Sequence, residues 1–175
     1  MKDKLILTFA AALALTAYGC ISGSSETTLN VGGKYKFVTE AVNLSCKEKT
    51  TGIVINMTPL PAREFTVDVT RDGGAIVLNS TDFVWNLINL RMDQASATQT
   101  GTTMEGTVDD NGVFSAQTTD TWTNTGSAGP VEITQKYQGK FTDTGVSGSY
   151  TVLMTLLNHN TECNGSAGFT GDKLN

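Results

Sequence analysis

VSGSYTVLMTL, residues 146–156, decides the fold. Val146, Gly148, Tyr150, Val152, Met154 and Leu156 alternate with a set that is polar except for Leu153. A period of two puts the first set on one face of an extended chain, whereas a helical period would mix the two sets. The stretch is therefore a strand with one face turned to a core and a hydroxyl-rich face turned to water.

The residues leading into this strand belong to a pattern that occurs twice. GTVDDNGVFSAQ from Gly106 aligns with GKFTDTGVSGSY from Gly139 at both glycines, at Asp110 with Asp143, and at Val113 with Val146. Two such units make a pair of hairpins turning at Asn111-Gly112 and Thr144-Gly145; a solenoid needs at least about three repeats. Towards the amino end, EFTVDVT (64–70) and AIVLNS (75–80) flank RDGG (71–74), a hairpin signal. GKYKFVTEAVNLSC (33–46) alternates through Tyr35 and Phe37, then Val38, Val42 and Leu44, with a break near Thr39–Ala41 that predicts a bulge or bend. TGIVINMT (51–58) reads as another strand, stopped by Pro59 and Pro61, which cannot donate to a ladder. SAGFTGDKL (166–174) is positioned to close the sheet.

TDFVWNLINLRM (81–92) fits two readings. Thr81 or Asp82 could cap a short helix with Phe83, Leu87 and Leu90 on one face, or Val84, Ile88, Leu90 and Met92 could line a strand. The β-rich surroundings favour the strand. The count is about nine strands joined by short turns, which predicts an all-β antiparallel domain over residues 32–175, with roughly 8–10 strands. Sequential hairpins favour an up-and-down barrel over a sandwich. In outline this pattern resembles the small lipocalin-like or avidin-like barrels, a shape shared by many functions.

Lys2 and Lys4 precede an uncharged, mostly apolar run from Leu5 to Thr16, which suits a signal peptide and is too short to span a bilayer. Ala17 and Gly19 then lead to Cys20, and the segment resembles a bacterial lipoprotein signal. Tyr18 is bulkier than that pattern prefers, and Ala17 stands where Leu is usual. The resemblance implies removal of residues 1–19 and acylation of Cys20 by palmitate-type chains. It also implies, from Ile21 in place of Asp, an outer-membrane address in the cell envelope. Two or three chains hold firmly at ~0.8 kcal/mol per buried methylene. The polar ISGSSETT stretch makes residues 20–31 a flexible linker. The alternatives are ordinary cleavage that leaves a free thiol at Cys20, and a retained helix.

With Cys20 at the anchor, an exported chain most simply pairs Cys46 with Cys163, joining the first strand to a point just before the last. Such a bond would contribute about 4 to 5 kcal/mol on the chain-entropy model. Two buried thiols are the rival reading. A metal site from both with His159 is weaker, since three ligands would have to converge from distant positions. The formal charge of −5 becomes one unit more negative once Lys2, Asp3 and Lys4 are removed. It argues against nucleic acid and anionic lipid headgroups as partners.

Catalytic signals are sparse. His159 is the one histidine and no G-x-S-x-G motif accompanies it. Asp109–Gly112 (DDNG) lacks the calcium-loop ligands, with Thr107 and Thr118 where acidic residues would be needed. Asp68, Glu105 and Asp120 are the candidate carboxylates for a hydrolase. Trp85 and Trp122 offer a better ligand hypothesis: at a barrel mouth they could stack on a sugar or an apolar molecule, and otherwise they plug the core. The expectation is a non-catalytic envelope lipoprotein, without cofactor, that binds a small ligand. The alternative is a filled barrel presenting an edge or loop to another envelope protein.

Overall fold

The computed structural model describes residues 28–83, 102–122 and 129–175; Cys20, Trp85 and the remainder of segment 84–92 lie outside the described residues, as does the side chain of Trp122. Ten strands form one sheet: β1 (Gly33–Thr39), β2 (Ser45–Glu48), β3 (Val54–Asn56), β4 (Arg63–Asp72), β5 (Ala75–Asn79), β6 (Thr103–Val108), β7 (Val113–Trp122), β8 (Val131–Phe141), β9 (Gly145–Leu156) and β10 (Thr161–Lys173). The order β1-β4-β5-β6-β7-β8-β9-β10 closes through a β1–β10 pairing into an eight-stranded antiparallel barrel.

The two extra strands are continuations of their neighbours. β10 pairs with β1 through Thr39↔Phe169 and then with β2 through Asn164↔Ser45, a slip of one residue across the break. Glu40 sits in that break: its N–H donates to the Gly168 carbonyl at 3.0 Å and its carboxylate accepts from the Gly168 N–H at 3.1 Å. β3 and β4 are likewise two lengths of one stave, bridged by the Val42↔Leu60 pairing. The barrel is thus an up-and-down meander whose first stave carries the expected bulge. Thr39 and Val42 are the inward residues on either side of it, while Val38 points out at 41% exposure and does not belong to the core face.

Two ends can be told apart. The tight-turn end carries the β4–β5, β6–β7 and β8–β9 turns; the opposite, long-loop end is where β2, β5, β7 and β9 finish and carries the turns 49–53 and 157–160. Leu29 to Val31 lie across the tight-turn end. The carbonyls of Leu29 and Asn30 accept from Arg71 at 3.1 Å and Lys173 at 2.7 Å, and Val31 is fully buried. The interior is aromatic, with Tyr35, Phe37, Phe141, Tyr137 and Phe169 in edge-on and stacked contacts at centroid distances of 4.9–6.4 Å. Gly139 and Gly148 face each other across β8 and β9 where the backbones come close: a Cβ on either would lie 2.1 Å from a carbonyl oxygen of the other strand. Such glycines let strands bend at a barrel corner.

Cys46 and Cys163 form a disulfide directly across β2 and β10, 117 residues apart in sequence. Cys163 lies inside the last strand and not before it, because β10 begins at Thr161, earlier than the sequence signals at 166–174. Segment 81–92 departs from expectation at its start: Thr81–Phe83 is a 3-10 turn, not strand.

The β2–β3 hairpin supplies a pH prediction. The Glu48 carboxylate accepts from the Thr51 hydroxyl, from the Thr50 N–H at 2.8 Å and from the Thr51 N–H at 2.6 Å. These bonds, that of the Thr51 hydroxyl first, lower its pKa from 4.5 to about 2. A carboxylate depressed in the folded state stabilises above its unfolded pKa, and that contribution fades as pH falls through the folded value. Carboxyl-carbon NMR should show Glu48 titrating near 2, and Thr51→Ala should return the midpoint towards 4.5.

Candidate functional site

The inward row of β8 runs Val131, Ile133, Gln135, Tyr137. Gln135 is an amide in a core position, 1% exposed, so its polar atoms need partners. Its Nε2 donates to the Phe83 carbonyl at 3.0 Å and its Oε1 accepts from the Tyr150 hydroxyl at 2.6 Å. The Tyr150 ring stacks on Tyr137 at 4.6 Å between centroids. Tyr137 is fully buried, yet among the described residues its hydroxyl has no hydrogen-bond partner. Burial pushes that phenol well above its ordinary pKa, the Tyr150 hydroxyl adds to the rise and the Arg63 guanidinium opposes it, so Tyr137 is a neutral donor or acceptor at physiological pH.

Phe83 caps this group from the long-loop end. Ser80 anchors the turn by donating from Oγ to the Thr66 carbonyl at 2.7 Å and accepting from the Asp82 N–H at 3.2 Å. Arg63 reaches the Asp82 carbonyl at 3.3 Å and its carboxylate at 3.5 Å. These contacts place the Phe83 ring, fully buried, between Phe65 at 5.8 Å and Tyr137 at 5.9 Å. Beside the rings stand an amide, two phenols and a guanidinium, a small set of polar groups in an apolar wall, with the Phe83 ring filling the space between them. Among the described residues it has no nucleophile paired with a base.

The other candidates are dispersed. Trp122 ends β7 in register with Val131, at the long-loop end. His159 is exposed in the β9–β10 turn. Asp68 is on the outer face, bound to Lys34 at 2.7 Å; Glu105 is also outside, and Asp120 faces inward, so the three carboxylates do not converge. Asp109 acts in its turn, with its carboxylate accepting from the Val113 N–H at 2.8 Å. Gln135, Tyr137 and Phe83 were not among the sequence candidates. The signal for Gln135 was present as an amide in the alternation Val131, Ile133, Gln135, Tyr137. No family model matches the chain, and no curated protein or solved structure does.

Proposed function

We propose that the chain is an exported, lipid-anchored binding protein whose barrel takes up a small ligand at the long-loop end without transforming it. The buried group of Gln135, Tyr150 and the unsatisfied Tyr137 hydroxyl carries this reading, because hydrogen-bonding groups in an otherwise aromatic interior are what orients a ligand. The tether geometry agrees with it. Thr28 lies beside Arg71, Gly73 and Asp110 at the tight-turn end, so an anchor at Cys20 would attach to the barrel at the end opposite the long loops. An extended chain covers about 3.3–3.6 Å per residue, so the linker from Cys20 to Thr28 would span no more than roughly 30 Å. Native mass spectrometry of protein extracted from its own envelope tests both halves. Expected are an acylated Cys20 terminus and a non-covalent small molecule retained on the barrel. A chain starting at Met1, or a barrel that never carries a ligand, overturns the corresponding half.

The β3 edge favours the second reading, a docking protein with a filled barrel. Among the described residues β3 pairs with β2 alone, and Ile53, Val54 and Ile55 are exposed to 58, 58 and 61%. An unpaired apolar edge is a template for another strand. Under this reading an envelope protein, and no small molecule, would accompany the extracted protein.

A further inference from the structure

We propose that the slot filled by Phe83 is a binding site for a small aromatic molecule bearing a carbonyl-type acceptor, and that Phe83 holds the site closed by imitating that ligand. This rests on the ligand-binding reading above and names its chemical class. The imitation has two parts: a ring seated between Phe65 and Tyr137, and a carbonyl oxygen accepting from Gln135 Nε2 at 3.0 Å. It fails in a third respect. The buried Tyr137 hydroxyl has no partner among the described residues, and phenylalanine carries no side-chain polar atom to give it one. A ligand that reproduces the ring and the acceptor, and adds a polar substituent on the ring, satisfies all three. It therefore has an advantage over the residue it displaces, since leaving a buried hydroxyl unpaired is costly.

Displacement at this point is mechanically simple. Phe83 lies beyond the end of β5 in a single 3-10 turn, outside the barrel ladder, so its withdrawal breaks no strand pairing. Tyr150 keeps its bond to Gln135 Oε1, which holds the amide oriented to receive the incoming acceptor.

Calorimetric titration with 3-phenylpropionamide, which carries the ring and acceptor of Phe83, and with butylbenzene, which lacks the acceptor, tests the site. Phe83→Ala should bind the amide at least ~10-fold more tightly than the wild-type protein does; residue 83 keeps its main-chain carbonyl on Gln135 Nε2, so the acceptor of the probe takes the second hydrogen of that amide group, and the amide should bind more tightly than butylbenzene by a further ~10-fold, the scale of one hydrogen bond. Adding Gln135→Leu should abolish the preference for the amide. A hydroxyl on the probe ring should improve binding in Phe83→Ala and lose that gain with Tyr137→Phe. Phe83→Leu, which conserves volume better, should show the same order with smaller factors if the alanine variant fails to fold. Equal binding of the two probes would mean a greasy cavity only and would overturn the site; so would wild-type affinity equal to that of folded Phe83→Ala. A native ligand lacking any aromatic ring would overturn this inference and leave the ligand-binding reading standing. Failure of that reading has a separate signature: the slot behaves as described, yet the extracted protein carries only a protein partner.

Discussion

Gly148→Ala is expected to lower the thermal midpoint by roughly 4–12 °C, although it adds one methyl group at a position with an ordinary backbone conformation. The added Cβ would lie 2.1 Å from the Gln138 carbonyl oxygen and 2.6 Å from the Gly139 Cα, both backbone atoms that cannot rotate away. β8 and β9 would have to separate at the corner where the barrel wall turns, and strain of this kind costs about 2–3 kcal/mol. Each kcal/mol is worth about 2–4 °C for a domain of this size. Gly139→Ala meets Ser147 and Gly148 in the mirror relation and should behave alike. Gly32→Ala is the control, since its nearest non-neighbouring atom would be 3.5 Å away, and it should change the midpoint little. Thermal melts by circular dichroism decide the matter: a Gly148→Ala midpoint within error of the control would mean that the corner relaxes freely.

Removing the disulfide with Cys46→Ala and Cys163→Ala together is the second large effect. The bond joins residues 117 apart in sequence, for which restriction of the unfolded chain contributes about 4 to 5 kcal/mol at most and losses of about 2–5 are usual. Both sulfurs are buried, so the double variant also leaves two small voids. Urea denaturation should show the midpoint falling with little change of slope. The loss should be felt first in the hairpin of β2 and β3, because β2 is the stave fragment on the far side of the Glu40 break and β3, among the described residues, pairs only with β2. Hydrogen exchange should therefore accelerate at Val54–Asn56 before it does in β8 or β9. An unchanged urea midpoint would show that the bond adds nothing beyond the ladder around it.

The fold was largely legible because strand alternation is a local property. Residues 146–156 display it directly, and the glycines aligned at 106 and 139 mark the two hairpins in which neighbouring backbones come within 1.8 and 2.1 Å of a built Cβ. The break near Thr39–Ala41 was visible for the same reason. Val38 was misread because an apolar β-branched residue beside a bulge looks alike on either face, and only the pairing with Glu64 and Thr170 settles which way it points. The site was much less legible. Phe83 heads a segment whose pattern fits both helix and strand, and its role comes from Ser80, Thr66 and Gln135, which are far apart in the chain. A tyrosine whose hydroxyl lacks a partner is a tertiary fact with no local signature at all.

The seam of the barrel has a temporal meaning. Tyr35 is registered against Lys173, so the wall stays open until the last strand is present. A chain delivered from its amino end, by ribosome or translocase, would carry unsealed edges until that final segment arrived. Joining ends separated by well over a hundred residues is an entropic search that local turns cannot shorten, and such topologies complete slowly. Sealing therefore waits for β10, which makes the closing strand the natural place to look for the rate-limiting event.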